Sequence, residues 1–84
     1  MEYKLKTPIV LGEETIEVLK LEEPNTNKLE TFGVSFAPDV IGSVKQMKAI
    51  VCSCSTNVNE GHVGVMKLRD LMGAWEKCQT SFFG

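Results

Sequence analysis

Hydrophobic and polar positions alternate at the start of the chain. Tyr3, Leu5 and Thr7 fall on one side, and Glu2, Lys4 and Lys6 on the other, the period of a β-strand. Pro8 suits a strand end or an edge, and Gly12-Glu13 offers a turn. Thr15-Ile16-Glu17-Val18-Leu19-Lys20-Leu21 is rich in β-branched and apolar residues and predicts a second strand. Leu19 and Leu21 lie on the opposite face from Ile16 and Val18, so the alternation is imperfect. A short helix competes for this segment, because Glu13 to Glu23 also holds good helix formers.

Glu23-Pro24-Asn25-Thr26-Asn27 breaks the pattern. Asn25 or Asn27 is placed to cap a short helix through Lys28, Leu29 and Phe32, with Gly33 as its stop. Ala37-Pro38-Asp39 is the next break, with Asp39 as a helix cap. From there Val40, Val44, Met47, Val51 and Cys54 recur at helical spacing, until Ser53, Ser55, Thr56 and Asn57 weaken the helix. Asn57 to Gly64 reads as a polar loop, and Asn59 or Glu60 opens a last helix. Its main apolar stripe is Val65, Leu68, Met72 and Trp75, widened by Leu71 and Cys78. Lys67, Arg69, Asp70, Glu76 and Lys77 supply the wet side. Gly73 inside this helix costs about 1 kcal/mol relative to Ala, so it marks close packing against another element. The predicted fold is α+β: one domain over 1–84, with a β-hairpin in 1–23, two or three α-helices in 24–80 and a tail at 81–84.

Composition narrows the function classes. The chain has 84 residues, 43% hydrophobic and 24% charged, which is ordinary for a globular domain. So small a domain has a thin core, and a partner can complete its hydrophobic surface. Net charge is −2, which argues against a general nucleic-acid binder. Residues 1–30 hold seven acids against four lysines, and the remainder four acids against five bases. No apolar run reaches the roughly 18–20 residues of a membrane span. The first six residues lack the apolar stretch of a signal peptide. Three cysteines fit no closed disulfide framework. Together these predict a cytosolic protein with reduced thiols.

Candidate chemistry is sparse. Cys52, Cys54, His62 and Cys78 are soft metal ligands, but Cys52 and Cys54 point apart in either a helix or a strand, so they do not chelate one ion together. Cys54 and Cys78 read as small core residues, Cys52 as a helix-edge residue, and His62 as a solvated loop residue. The pairs Glu13-Glu14 and Glu22-Glu23 read as solvated turn or strand edges. Gly61-His62-Val63-Gly64 is not a phosphate loop. No cofactor and no enzymatic activity are predicted. Met47 and Met72 read as core. Met66 and Ile41 lie off the main stripes and, with Phe82 and Phe83, are candidates for an exposed apolar patch, methionine being suited to adaptable surfaces.

The order of these features resembles a known family. Leu5-Lys6-Thr7-Pro8-Ile9, the Gly12 turn, Thr15-Ile16 and Leu21-Glu22-Glu23-Pro24, followed by a helical remainder, are similar to the short tail assembly chaperones of contractile-tailed phages. These are the protein E-type family of Mu-like and related temperate phages. Leu68-Arg69-Asp70-Leu71 and Phe82-Phe83 correspond to its last helix and terminal Phe. The chain departs from the family at Ser55–Gly61, where a Leu–Pro turn is usual. The resemblance implies a chaperone that holds the helical, hydrophobic tape measure protein soluble in the host cytoplasm and is left out of the virion. It implies a partner-binding surface among Ile41, Met66, Leu71, Trp75, Phe82 and Phe83. It also implies a longer form made by frameshifting, able to contact the tail tube protein; Ser81-Phe82-Phe83 is compatible with a slippery sequence. Self-association is a further expectation. The alternative function is a structural tail-completion or connector protein, which stays in the particle.

Overall fold

A computed structural model describes residues 1–83. The predicted hairpin is present, and the fold is α+β. Strand β1 (Glu2–Leu11) pairs antiparallel with β2 (Glu14–Lys20). Four helices follow: α1 (Thr26–Thr31), α2 (Val44–Cys54), α3 (Glu60–Gly64) and α4 (Leu68–Cys78). A π-helical turn, Gln79–Phe83, extends α4. Residues 81–83 of the predicted tail are therefore wound onto the last helix, and Gly84 lies outside the described residues.

The hairpin turn has two residues. Gly12 takes φ 63 and Glu13 stays at negative φ, the sign pattern of a II′ turn, which follows the right-handed twist of its strands. Away from the turn the register breaks. Ile9 pairs with Ile16 and Lys4 with Val18, so residues 5–8 of β1 face only Glu17 of β2. An odd surplus in one strand flips the inward set of its partner. That accounts for the broken alternation in β2. Ile16 packs inward near the turn, whereas Leu19 and Leu21 do so at the far end, both buried beside Leu5 and Ile9 of β1.

The bulge strips backbone amides of their ladder partners, and α4 supplies replacements. The amides of Lys6 and Thr7 donate to the two Asp70 carboxylate oxygens at 2.8 and 2.9 Å, and the Tyr3 hydroxyl adds a third bond at 3.3 Å. Asp70 is 1% exposed, so its predicted place on the wet side is corrected. It is an acid in the first helical turn, where the macrodipole also favours it.

Satisfying Asp70 inward turns the whole helix. The buried face of α4 is Asp70, Leu71, Ala74 and Cys78. Gly73 lets Tyr3 cross the helix: a Cβ there would overlap the Tyr3 hydroxyl and lie 2.8 Å from Cζ, the close packing predicted from the sequence. The predicted core stripe is correspondingly exposed. Met72, read as core, is 45% accessible, and Val65 and Leu68 are 49% and 57%.

The middle of the chain holds the remaining corrections. Asn25 caps α1, and Gly33 follows it at φ 69. Helix α2 starts after Ser43, whose side chain accepts from Gln46 N, and not after Asp39. Gly42 explains the delay, since glycine opposes helix propagation. Residues 37–43 form turns instead, with Val40 and Ile41 bonded back to Ala37. From Gln46 to Cys54, every residue of α2 except Lys48 is buried. The predicted last helix is two: α3 is capped by Asn59 and separated from α4 by residues 65–67.

The outer edge of β2 is covered by chain following α2. Asn57 accepts from Lys20 N at 2.9 Å and donates to Val18 O at 2.8 Å. Thr56 N donates to Lys20 O and Glu22 N to Cys54 O. A side-chain amide thus stands in for a neighbouring strand and blunts an edge that would invite pairing.

Replacing Asp70 by Asn puts an amide group against two backbone donors. Hydrogen bonds to charged groups contribute about 1.5–3 kcal/mol each. D70N is expected to lose at least about 2 kcal/mol in urea unfolding, while Arg69→Ala, one residue away and exposed, changes stability by less than about 0.5 kcal/mol.

Candidate functional site

The residues nominated from sequence do not share one surface. Leu71 is 4% exposed and belongs to the core, so it is withdrawn as a binding residue. Met66, Trp75, Phe82 and Phe83 are partly buried against that core. Phe83 stacks obliquely on Phe36 with centroids 5.7 Å apart, holding the loop before α2. Ile41 is half-buried in the turns before α2. The Trp75 indole nitrogen is buried with no hydrogen-bond partner.

The largest exposed apolar feature on one element is the outer face of α4. Leu68 and Met72 are one helical turn apart, Trp75 borders the stripe, and Val65 is exposed in the connection before α4. Residues at i, i+3, i+4 and i+7 share one helix face. The sequence signal for this stripe was present. Only its direction was missed, because the pattern does not reveal which face Asp70, Gly73 and Ala74 hold against the hairpin. Arg69 and Glu76 lie exposed beside the stripe. Among the described residues the ion pair within 4 Å is His62–Glu14, so neither has a charged partner among them.

His62 is not a solvated loop residue. It is 4% exposed. Its Nδ1 accepts from Asn59 N at 3.1 Å, while Asn59 Oδ1 accepts from His62 N, a reciprocal cap on α3. With Nδ1 accepting, Nε2 carries the proton and donates to Glu14 Oε1 at 3.2 Å. This bond ties α3 to the hairpin turn. Both ring nitrogens are engaged structurally.

The three cysteines are free and buried. Cys52, predicted at a helix edge, is 6% exposed and lies inside. Among the described residues no group of three His, Cys, Asp or Glu side chains gathers as metal ligands. A cleft of about 470 Å³ lies between α1, α2 and α3, lined by Phe32, Lys45, Lys48, Ala49, Glu60 and Gly61. It is an open surface depression of mixed charge. No helix among the described residues is long and apolar enough to cross a membrane.

Comparison with known proteins finds no family model that matches the chain, and no curated protein or solved structure that does.

Buried acids set an alkaline limit. Burial, helped by the Glu60 charge and opposed by Lys48, pushes the Cys52 thiol from 9.0 up to about 11. The Cys78 thiol is raised by its hydrogen bond to Cys54 and by burial. Tyr3 is raised from 10.0 by burial and by Asp70. In each case the folded state holds a proton that the unfolded chain has released. Stability is then full below the unfolded values and falls as pH rises through the folded ones. The melting temperature is expected to decline above about pH 9, and Cys52→Ala to flatten the decline between about pH 9 and 11. Melting curves across that range check this.

Proposed function

We propose that this protein is a tail assembly chaperone of a contractile-tailed phage, which binds the hydrophobic helical tape measure protein and keeps it soluble until the tail tube forms. The observation that carries the reading is the apolar stripe Leu68–Met72 on the outside of α4, at 57% and 45% exposure, with Val65 at 49% in the connection before it. A helical client is complementary to such a stripe, because its own anchors recur at i, i+3, i+4 and i+7. From Leu68 to Trp75 on α4 the stripe spans about 10.5 Å at 1.5 Å per residue, about two turns of client. One such contact is weak. A long client engages many copies, and multivalency supplies the retention. Met72 adds tolerance for varied apolar partners.

The binding surface in this reading is Val65, Leu68, Met72 and the exposed part of Trp75, with Met66 beside it. The host cytoplasm is its place of action, and a frameshifted longer form would bring the tail tube protein into the same assembly. The order of strand, turn and helix motifs adds to the reading through the family it resembles.

Co-expression with the tape measure protein encoded alongside it tests the proposal. The client is expected to become soluble and to co-purify with several copies of this chain. Leu68→Asp and Met72→Lys are expected to abolish co-purification and leave the melting temperature within a few degrees, since both side chains already face water. Leu71→Ala should instead cost about 2–5 kcal/mol through a core cavity. A client that stays insoluble with the parent protein removes the functional reading. Unchanged capture by both stripe variants removes α4 as its site.

A further inference from the structure

The charges beside the α4 stripe are arranged for a second copy of the same helix. Arg69 and Glu76 are exposed, seven residues apart and on one side of the helix, about 10.5 Å along its axis. Met72 lies between them, near the midpoint. When two identical helices pair antiparallel about a two-fold axis, a residue above the midpoint faces the residue equally far below it on the partner. With the axis beside Met72, Arg69 of each copy faces Glu76 of the other. Met72 then meets Met72, and Leu68 approaches Trp75 on the other side of the axis. The pattern is self-complementary in charge and in apolar surface. Neither Arg69 nor Glu76 forms an ion pair among the described residues.

We propose that, without client, the outer face of α4 is covered by a second copy of this chain in an antiparallel, two-fold pair held by Met72, Leu68 and reciprocal Arg69–Glu76 contacts. The proposal rests on reading this face as the binding surface and adds what occupies it before the client arrives. The stripe offers only Leu68, Met72 and the border of Trp75, and apolar patches on a single chain rarely exceed a few hundred Å². Two such faces bury less than the roughly 1,200 Å² of a stable complex, so the pair is weak and exchanges rapidly. A weak pair shields apolar surface in the free protein and yields to a client that engages many copies at once.

Sedimentation of the purified full chain, without client, from about 10 μM to 1 mM tests this (the window in which weak pairs dissociate). The average mass is expected to rise from monomer towards dimer across that range. Arg69→Glu places like charges opposite each other twice and is expected to weaken pairing at least tenfold, and Glu76→Arg to do the same. Mixing the two variants restores opposite charges at both contacts, so the mixture is expected to pair as well as the parent, as is the double variant R69E/E76R. Both positions are exposed, and circular dichroism confirms that each variant is folded. A chain that stays monomeric to 1 mM overturns the proposal. So does a pair that charge reversal leaves unchanged, or two weakened variants whose mixture does not recover. Client capture is scored separately, so a parent chain that captures client yet stays monomeric to 1 mM counts against this proposal alone.

Discussion

The buried carboxylate of Asp70 organises the molecule. It accepts the amides of Lys6 and Thr7 and the hydroxyl of Tyr3, at the point where β1 carries four residues opposite one of β2. Two stretches more than sixty residues apart in sequence, each incomplete alone, satisfy each other. The bulge presents amide donors with no strand to receive them, and burying such donors unpaired is costly. Asp70 presents an acceptor that belongs inside only because those donors meet it. Removing either leaves the other stranded, so the two are tightly coupled.

This interaction determines how α4 is turned. A helix with Asp70 and Gly73 against the hairpin must bury Leu71, Ala74 and Cys78 against α2 and leave Leu68 and Met72 outside. Gly73 gives up helix propensity so that the Tyr3 ring can cross. The exposed apolar stripe is therefore a consequence of how the hairpin is held. The site and the fold are linked at one residue: a chain that satisfied its bulge differently would roll the same stripe into the core.

The sequence made the hairpin, a cap at Asn25 or Asn27, the Gly33 stop and the two long helices legible, because each depends on local periodicity and turn chemistry. Gly73 also signalled a close approach. The rotation of α4 was not legible. The Val65–Leu68–Met72–Trp75 pattern is a sound amphipathic stripe, and burying a carboxylate in preference to it is favoured only when donors elsewhere in the chain need that carboxylate. The clue lay in β2, where Ile16 and Leu19 both point inward although three residues apart. Such a phase slip implies a bulge, and a bulge implies unpartnered amides. His62 was misread for a similar reason, since its cap on α3 depends on a short helix that the Gly61 and Gly64 flanks disguise. The Asp39 cap lost to Ser43 because Gly42 interrupts the helix between them.

If the buried carboxylate holds the bulge as described, the amides of Lys6 and Thr7 exchange with solvent only when the hairpin and α4 separate. Hydrogen exchange followed residue by residue by NMR tests this most directly. Both amides are expected to be as protected as those of Ile50 and Val51 in the core of α2, and Asp70→Asn is expected to abolish that protection while the turn-proximal pairs of the hairpin keep theirs. Exchange of Lys6 and Thr7 as fast as in an open loop would contradict the account, and with it the outward-facing stripe on which the functional reading stands.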